Sequence, residues 1–411
     1  MLNIIWGVLI IAGILAVFVK SAVLMDSTVI SEAVKSLFHS ASVSMDIVIG
    51  LAGMMCFWLG LSRVMEKSGI TSVLARLITP LFRVIMPGVP AGHPAIGSMT
   101  MNLAANMLGL DNAATPLGIR AMKDLETLNG NKGTATDSEI MFLVINTSAV
   151  TIFPVSVFLY RSKFGSAAPT DVFLPILLAT ICSTIAGFLA VAFCQKISLL
   201  KAPLMAFFAA LIGLAGGVAL WASFAGASLA AQATAVSDGL LLFFIGFVLV
   251  YGLTRKVKIY DEFVAGAKEG FKTTIDILPY LVAMLAAVAV FRAGGLLEAF
   301  TGLVKSAAAF LGFDTAFADA LPVSLVKPLS GSGARAMMLD VFESSGVDSF
   351  AGHVASVMQG STETTFYVLA VYFGAVGITR VRHAVWCGLF ADFTSMIASI
   401  VISYVFFGSA A

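Results

Sequence analysis

The sequence predicts an all-α polytopic membrane protein built from two inverted-topology repeats with re-entrant helical hairpins and discontinuous helices. Three observations carry that prediction. The 411 residues are 59% hydrophobic and only 11% charged, with a mean hydropathy of +0.99, far from the composition of soluble domains. Apolar runs long enough to span a bilayer recur along the chain. Two of them are interrupted by polar residues, at Asn146-Thr147-Ser148 and at Gln359-Gly360-Ser361-Thr362-Glu363-Thr364-Thr365. A carboxylate in hydrocarbon costs roughly 3 kcal/mol on insertion scales, so such residues usually face a cavity or a pathway. The bland alternative is that the hydroxyls bond back to their own helix and Glu363 pairs with a nearby Lys or Arg.

In chain order, Leu2 to Val19 lacks a basic leader and is long enough to be a first span and not a cleaved signal. Ser21–Ser44, where Asp26, Glu32 and Lys35 alternate with apolar residues at helical spacing, reads as an interfacial amphipathic helix ahead of a span over Ile47–Leu61. Arg63, Lys67, Arg76 and Arg83 then place an amphipathic segment on the cytoplasmic face. Ala95 to Leu110 is too short and too interrupted, by Asn102 and Asn106, to cross comfortably. With Ala113–Leu128 beyond Asp111-Asn112 it forms a re-entrant hairpin. Ile140–Tyr160 is a broken span kinked near Pro154, and Val172–Phe193 closes the first half.

In the second half, Leu204–Trp221 and Leu240–Leu253 are plainer spans, separated by the polar stretch Ser223–Asp238. Gly213 and Gly217 on the first of them read as a helix-packing face. An amphipathic Tyr260–Thr274, a span Ile277–Phe291, Leu296–Leu311, a second hairpin across Leu321–Val341, the broken Phe350–Val376 and a last span Ala384–Phe407 follow.

The two halves, 1–200 and 201–411, are related. Ser148, Thr151 and Phe153 align with Ser361, Thr364 and Phe366, while Arg120-Ala121-Met122 aligns with Arg335-Ala336-Met337 and Phe164-Gly165 with Phe373-Gly374. Placing the Arg63–Arg83 face inside brings Lys196, Lys201 and Arg255-Lys256-Lys258 inside as well, so the repeats enter the membrane from opposite sides. Inverted repeats interrupted at matching places point to a binding site near the bilayer midplane.

The candidate binding residues follow from that placement. In the second break they are Gln359, Ser361, Thr362, Glu363 and Thr364, and in the first Asn146, Thr147, Ser148 and Thr151. The hairpins add Asn102, Asn106, Asn112 and Thr115 on one side and Lys327, Ser330 and Ser332 on the other. Hydroxyls and amides offer donors and acceptors, Glu363 offers a charge-assisted acceptor, and freed backbone carbonyls suit a sodium ion. Lys327 and Arg335 either bind an anionic group or pair with Asp340 and Glu363. The Ser-Gly-Ser-Gly run at Ser330–Gly333 is either an anion-binding helix start or a tight turn that needs glycine. Asn102 and Asn106 either line the cavity or clamp the hairpin.

A net charge of +1 leaves no basic stripe, so nucleic acid is not an expected partner. The four cysteines show no metal or disulfide spacing, and no cofactor is expected beyond a candidate sodium ion. His93 and His353 stay outside the site. The expected partners are the lipid bilayer and a small polar solute, with a homo-oligomer compatible but undefined by the four tryptophans.

The motifs carry a resemblance. His93-Pro94-Ala95, Asn102-Leu103-Ala104-Ala105-Asn106 and Asn112-Ala113-Ala114-Thr115-Pro116 resemble the spore maturation protein A family. Lys327-Pro328-Leu329-Ser330-Gly331-Ser332-Gly333 and Met358 to Tyr367 resemble the spore maturation protein B family. Both are similar to the nucleoside-recognition or gate group, which extends to parts of concentrative nucleoside transporters and of ferrous iron transport protein B. In those transporters a Gly-Gln-Thr-Glu run contacts the nucleoside, and Gly360-Ser361-Thr362-Glu363 resembles it with Ser in place of Gln. The likeness implies Thr362 and Glu363 as binding residues; the first half has Ala149 and Val150 at those positions.

The expected function is a non-enzymatic, multi-pass transporter in a bacterial inner membrane, moving a small polar, nucleoside-like solute by alternating access coupled to sodium or protons. Its rivals are a non-transporting factor for spore or envelope maturation and an intramembrane hydrolase using Ser330 or Ser332 with Lys327 as base.

Overall fold

The computed structural model describes residues 2–90, 92–107, 111–148, 152–197, 202–225 and 229–408, without the side chains of 2–5, 111–113, 202, 219, 222, 223 and 230. Among these residues the chain is helical throughout its regular structure, and six helices are long and apolar enough to cross a membrane. The protein is an all-α, multi-pass membrane protein.

The order of elements recurs. Helix α1 (Leu2–Leu24) leads into the long α2 (Thr28–Ser68), the amphipathic α3 (Ile70–Ile85), a hairpin of α4 (Pro94–Met107) and α5 (Asp111–Glu126), the broken pair α6 (Asp137–Thr147) and α7 (Val155–Lys163), and the span α8 (Phe173–Gln195). After α9 (Ala202–Ala225), α10 (Leu229–Thr254) leads into a second long helix, α11 (Ile259–Ala293). It is followed by α12 (Leu296–Phe310), a hairpin of α13 (Leu321–Val326) and α14 (Gly331–Ser345), the broken pair α15 (Phe350–Gly360) and α16 (Thr365–Gly374), and α17 (Ala384–Phe407). The hairpin helices pack on each other, whereas the two parts of each broken helix do not fold back on one another.

Corresponding helices meet antiparallel. Helices α2 and α11 approach through glycine: a Cβ on Gly270 would lie 2.5 Å from the Met55 carbonyl oxygen, and one on Gly266 would collide with the Leu59 carbonyl. Small residues let backbones approach where hydrophobic burial gives no drive. Helices α8 and α17 meet in the same sense, with Ser183 donating to the Ala391 carbonyl at 3.2 Å and Gln195 within 3.2 Å of His383.

Two expected boundaries dissolve. Ser21–Ser44 and Ile47–Leu61 belong mostly to the single helix α2, and Tyr260–Thr274 and Ile277–Phe291 to the single helix α11. Charges at helical spacing mark a polar face and do not end a helix, and Pro279 is absorbed inside α11. The polar stretch before Asp238 is helical from Leu229. A Cβ on Gly213 or Gly217 would meet nothing within 4 Å, so among the described residues the expected packing face on α9 is not used.

Helix ends follow local chemistry. Thr136 and Glu139 form a reciprocal capping box on α6, with the Thr136 N–H donating to Glu139 Oε2 at 2.8 Å. Ser330 caps α14 and Ser349 caps α15, each hydroxyl accepting a backbone N–H at 3.0 Å. Apolar side chains such as Phe243 and Val250 on α10 remain exposed, as lipid-facing positions do.

Candidate binding site at the crossing of the broken helices

The two breaks meet each other and the hairpin tips through their backbones. The Glu363 N–H donates to the Thr147 carbonyl at 2.9 Å, joining the breaks directly. The Ile152 N–H donates to the Met107 carbonyl at 3.0 Å, and the Phe366 N–H to the Pro328 carbonyl at 2.9 Å, so each break is tied to the hairpin of its own half. Donors freed by interrupting a helix thus find carbonyls freed by another interruption, as an apolar surrounding requires.

A cavity of about 250 Å³ opens at this crossing. Asn106, Thr115 and Asn146 line it from the first half, and Lys327, Gln359, Thr362, Glu363 and Thr364 from the second. Asn106 donates to Asn146 Oδ1 at 2.7 Å, and Asn146 donates on to the Phe142 carbonyl at 2.8 Å. Lys327, buried, donates to the Gln359 carbonyl at 2.8 Å. Glu363 is exposed to the cavity and forms no ion pair among the described residues. Gly331 also lines the wall, where a Cβ would lie 2.7 Å from Thr364 Oγ1, so glycine permits the hairpin tip to touch the second break.

Other expected residues stand behind the wall. Thr147 and Ser148 donate to the carbonyls of Val144 and Ile145 in their own helix. Ser361 points to α17, accepting from Ser395 at 2.7 Å. Asn102 clamps the first hairpin, donating to the Ala114 carbonyl at 2.8 Å and to Tyr372 at 3.3 Å. Ser330 is occupied as the cap of α14 and lies 3.2 Å from Ser332. Thr151 and the side chain of Asn112 lie outside the described residues.

Two wall or near-wall groups, Tyr372 and Asp392, are not marked by the motifs, and a third, Arg335, takes one of its two expected roles. Tyr372 lines the cavity and stacks on Phe142, and nothing in its sequence context marks it. Arg335 lines it too, its guanidinium over the Tyr160 ring at 5.5 Å; its suggested partner Asp340 is taken by Arg292. Asp392 is buried in α17 and accepts from Thr365 at 2.7 Å. A lone carboxylate inside an apolar span was the available signal for it.

A second polar cluster lies away from the cavity. Arg161, fully buried, reaches Asp171 at 2.9 Å, Asp348 at 3.0 Å, the Val347 carbonyl at 3.1 Å and Ser356 at 3.3 Å, while His353 contacts Asp171 at 2.8 Å. Asp171, Asp348 and His353 have metal-ligand character, but the guanidinium already occupies the space between them. The cluster therefore reads as a tie between α7 and the start of α15.

Residues 48–166 match the Gate family, described as nucleoside recognition. Over 166 residues the chain is 47% identical to spore maturation protein B of Bacillus subtilis (strain 168), covering 40% of this chain and 92% of that protein. Over 185 residues it is 40% identical to spore maturation protein A of the same organism, covering 45% of this chain and 91% of that protein. The chain belongs to the spore maturation protein A and B family. Each relative covers one part of it, as a fusion of the two would. No solved structure matches. Within this family chain, the break carrying Thr362 and Glu363 thus borders a cavity whose opposite wall comes from the first half.

Proposed function

We propose that the chain is a transporter-like membrane protein that binds a small polar solute where its broken helices cross and moves it by alternating access, without chemistry on the solute. The observation that carries this reading is the cavity lined by Asn106 and Asn146 from one half and by Thr362 and Glu363 from the other. A solute held there touches both halves, so a change in their relative position changes its exposure to either side. The antiparallel meeting of α2 with α11 and of α8 with α17 supports repeats of opposite orientation. A nucleoside-like solute fits the match to the nucleoside-recognition family, and sodium or protons are the proposed coupling ions, with Glu363 as the carboxylate that could carry either. We place the protein in a bacterial inner membrane.

The test is a thermal-shift screen of the detergent-purified protein against nucleosides, nucleobases, small dicarboxylates and amino acids, in sodium or potassium and at two pH values, repeated on Glu363→Gln. A ligand at about 100 times its dissociation constant stabilises by roughly 2.7 kcal/mol. The reading expects a hit that Glu363→Gln loses. If no solute shifts the wild type and Glu363→Gln matches it in stability, a non-transporting role in spore or envelope maturation, which the names of both relatives favour, takes its place.

A further inference from the structure

The cavity wall carries charges of opposite sign that do not neutralise one another. Arg335 and Glu363 both line it, and neither forms an ion pair with the other or with any side chain among the described residues. The Arg335 guanidinium rests on Tyr160, and its Nε is buried without a hydrogen-bond partner. Gln359, only 7% exposed, lines the same cavity and leaves its Oε1 without a partner. An unsatisfied buried donor or acceptor is costly, and hydrogen bonds to charged groups are among the stronger ones. The Arg335 part of the wall therefore lacks an anion, the Glu363 part lacks a cation, and Gln359 Oε1 lacks a hydrogen-bond donor.

Ligand classes divide on this point. A neutral solute satisfies neither charge. A simple anion satisfies Arg335 and meets repulsion from Glu363, and a simple cation does the reverse. A molecule with both charges satisfies the wall as a whole. The first turn of α14, which begins at the cavity-lining Gly331 and carries Arg335 on its next turn, adds backbone dipoles that favour the anionic end.

We propose that the solute is a zwitterion of free amino-acid size, its carboxylate on Arg335 beside the start of α14 and its ammonium toward Glu363 and Gln359 Oε1. The volume of about 250 Å³ admits a free amino acid and excludes long peptides. This inference rests on the solute-binding reading above and replaces its nucleoside-like substrate with an amino acid.

The test uses the full-length protein in detergent, with binding followed by thermal shift and calorimetry. The probes are L-amino acids with uncharged side chains and, for each, its N-acetyl derivative and its methyl ester, which remove one charge at a time; uridine is the neutral comparison. The expected result is that at least one amino acid stabilises the wild type while both of its blocked forms bind at least about tenfold more weakly. Arg335→Gln and Glu363→Gln should each weaken that amino acid by a similar factor. The blocked probes require no variant, so the test survives a variant that fails to fold. Binding of uridine with no response to any amino acid overturns the zwitterion and leaves the solute site standing. Equal binding of an amino acid and its blocked forms also overturns it. Silence from every probe overturns the zwitterion, and the solute site itself then stands or falls on the broader screen above.

Discussion

Replacing Arg161 by methionine tests the tie between α7 and α15. The substitution keeps the apolar stem and removes the guanidinium, leaving Asp171 without its partner at 2.9 Å. Removing one member of a desolvated ion pair costs roughly 3–5 kcal/mol, because the other charge stays buried. Asp171 sets the size of the effect, since its side chain is 11% exposed. Asp348 is 40% exposed and adds only about 0–1 kcal/mol, as surface pairs do. We therefore expect Arg161→Met to lose roughly 3–5 kcal/mol of unfolding free energy, read from denaturant titration in detergent with tryptophan fluorescence. The double variant Arg161→Met/Asp171→Asn should recover part of that loss, because no buried orphan charge remains and Asp348 is left at the surface. A loss for Arg161→Met below about 1 kcal/mol, within the range of exposed pairs, would refute the buried tie.

Further outcomes follow from the same contacts. Burial raises the Asp348 carboxyl, but hydrogen bonds from Ser166 and the Ala167 N–H, with the Arg161 charge, outweigh it and hold the group below the usual carboxylate range. A depressed folded value gives stability that is present above the unfolded value of about 3.9 and is lost as pH falls through the folded value. The stability difference between wild type and Asp348→Asn should accordingly be flat from about pH 5 to 8 and shrink below about pH 4; a difference that grows on acidification contradicts the sign. Gly270→Val forces a branched side chain against the Met55 carbonyl and should destabilise by about 1–3 kcal/mol in the same denaturant assay, whereas Gly213→Val on α9 should change it by less than about 0.5 kcal/mol. Gly331→Ala presses on Thr364 and should weaken solute binding in calorimetry while the unliganded melting temperature stays near wild type.

The hairpins and the broken helices were legible because each is marked by residues that hydrocarbon does not tolerate without a reason: Asn102 and Asn106, Pro154, and the run from Gln359 to Thr365. The helix boundaries in α2 and α11 were not, because a polar stripe around Glu32 and Lys35 or a charge at Asp276 resembles a loop in composition while keeping the helical period. Half of the polar run proved structural. Thr147 and Ser148 bond back to their own helix and Ser361 turns to Ser395, whereas Thr362, Glu363 and Thr364 line the cavity. Orientation about a break depends on where the helix stops, which spacing alone does not give. Arg161 was hidden for a different reason. Near the end of a short helix it reads as a loop cation, and only the second half supplies Asp348, His353 and Ser356 to bury it.

The central claim is that Glu363 lies in a water-filled cavity that opens alternately to the two sides of the membrane. Cysteine accessibility tests it without knowledge of the solute. In a background with Cys56, Cys182, Cys194 and Cys387 replaced, Glu363→Cys in sealed vesicles of each orientation is treated with a membrane-impermeant thiol reagent, beside Ser399→Cys, whose position is fully buried behind the break. The account predicts that Glu363→Cys reacts from both sides and Ser399→Cys from neither. Labelling of Glu363→Cys no faster than Ser399→Cys from either side would contradict it.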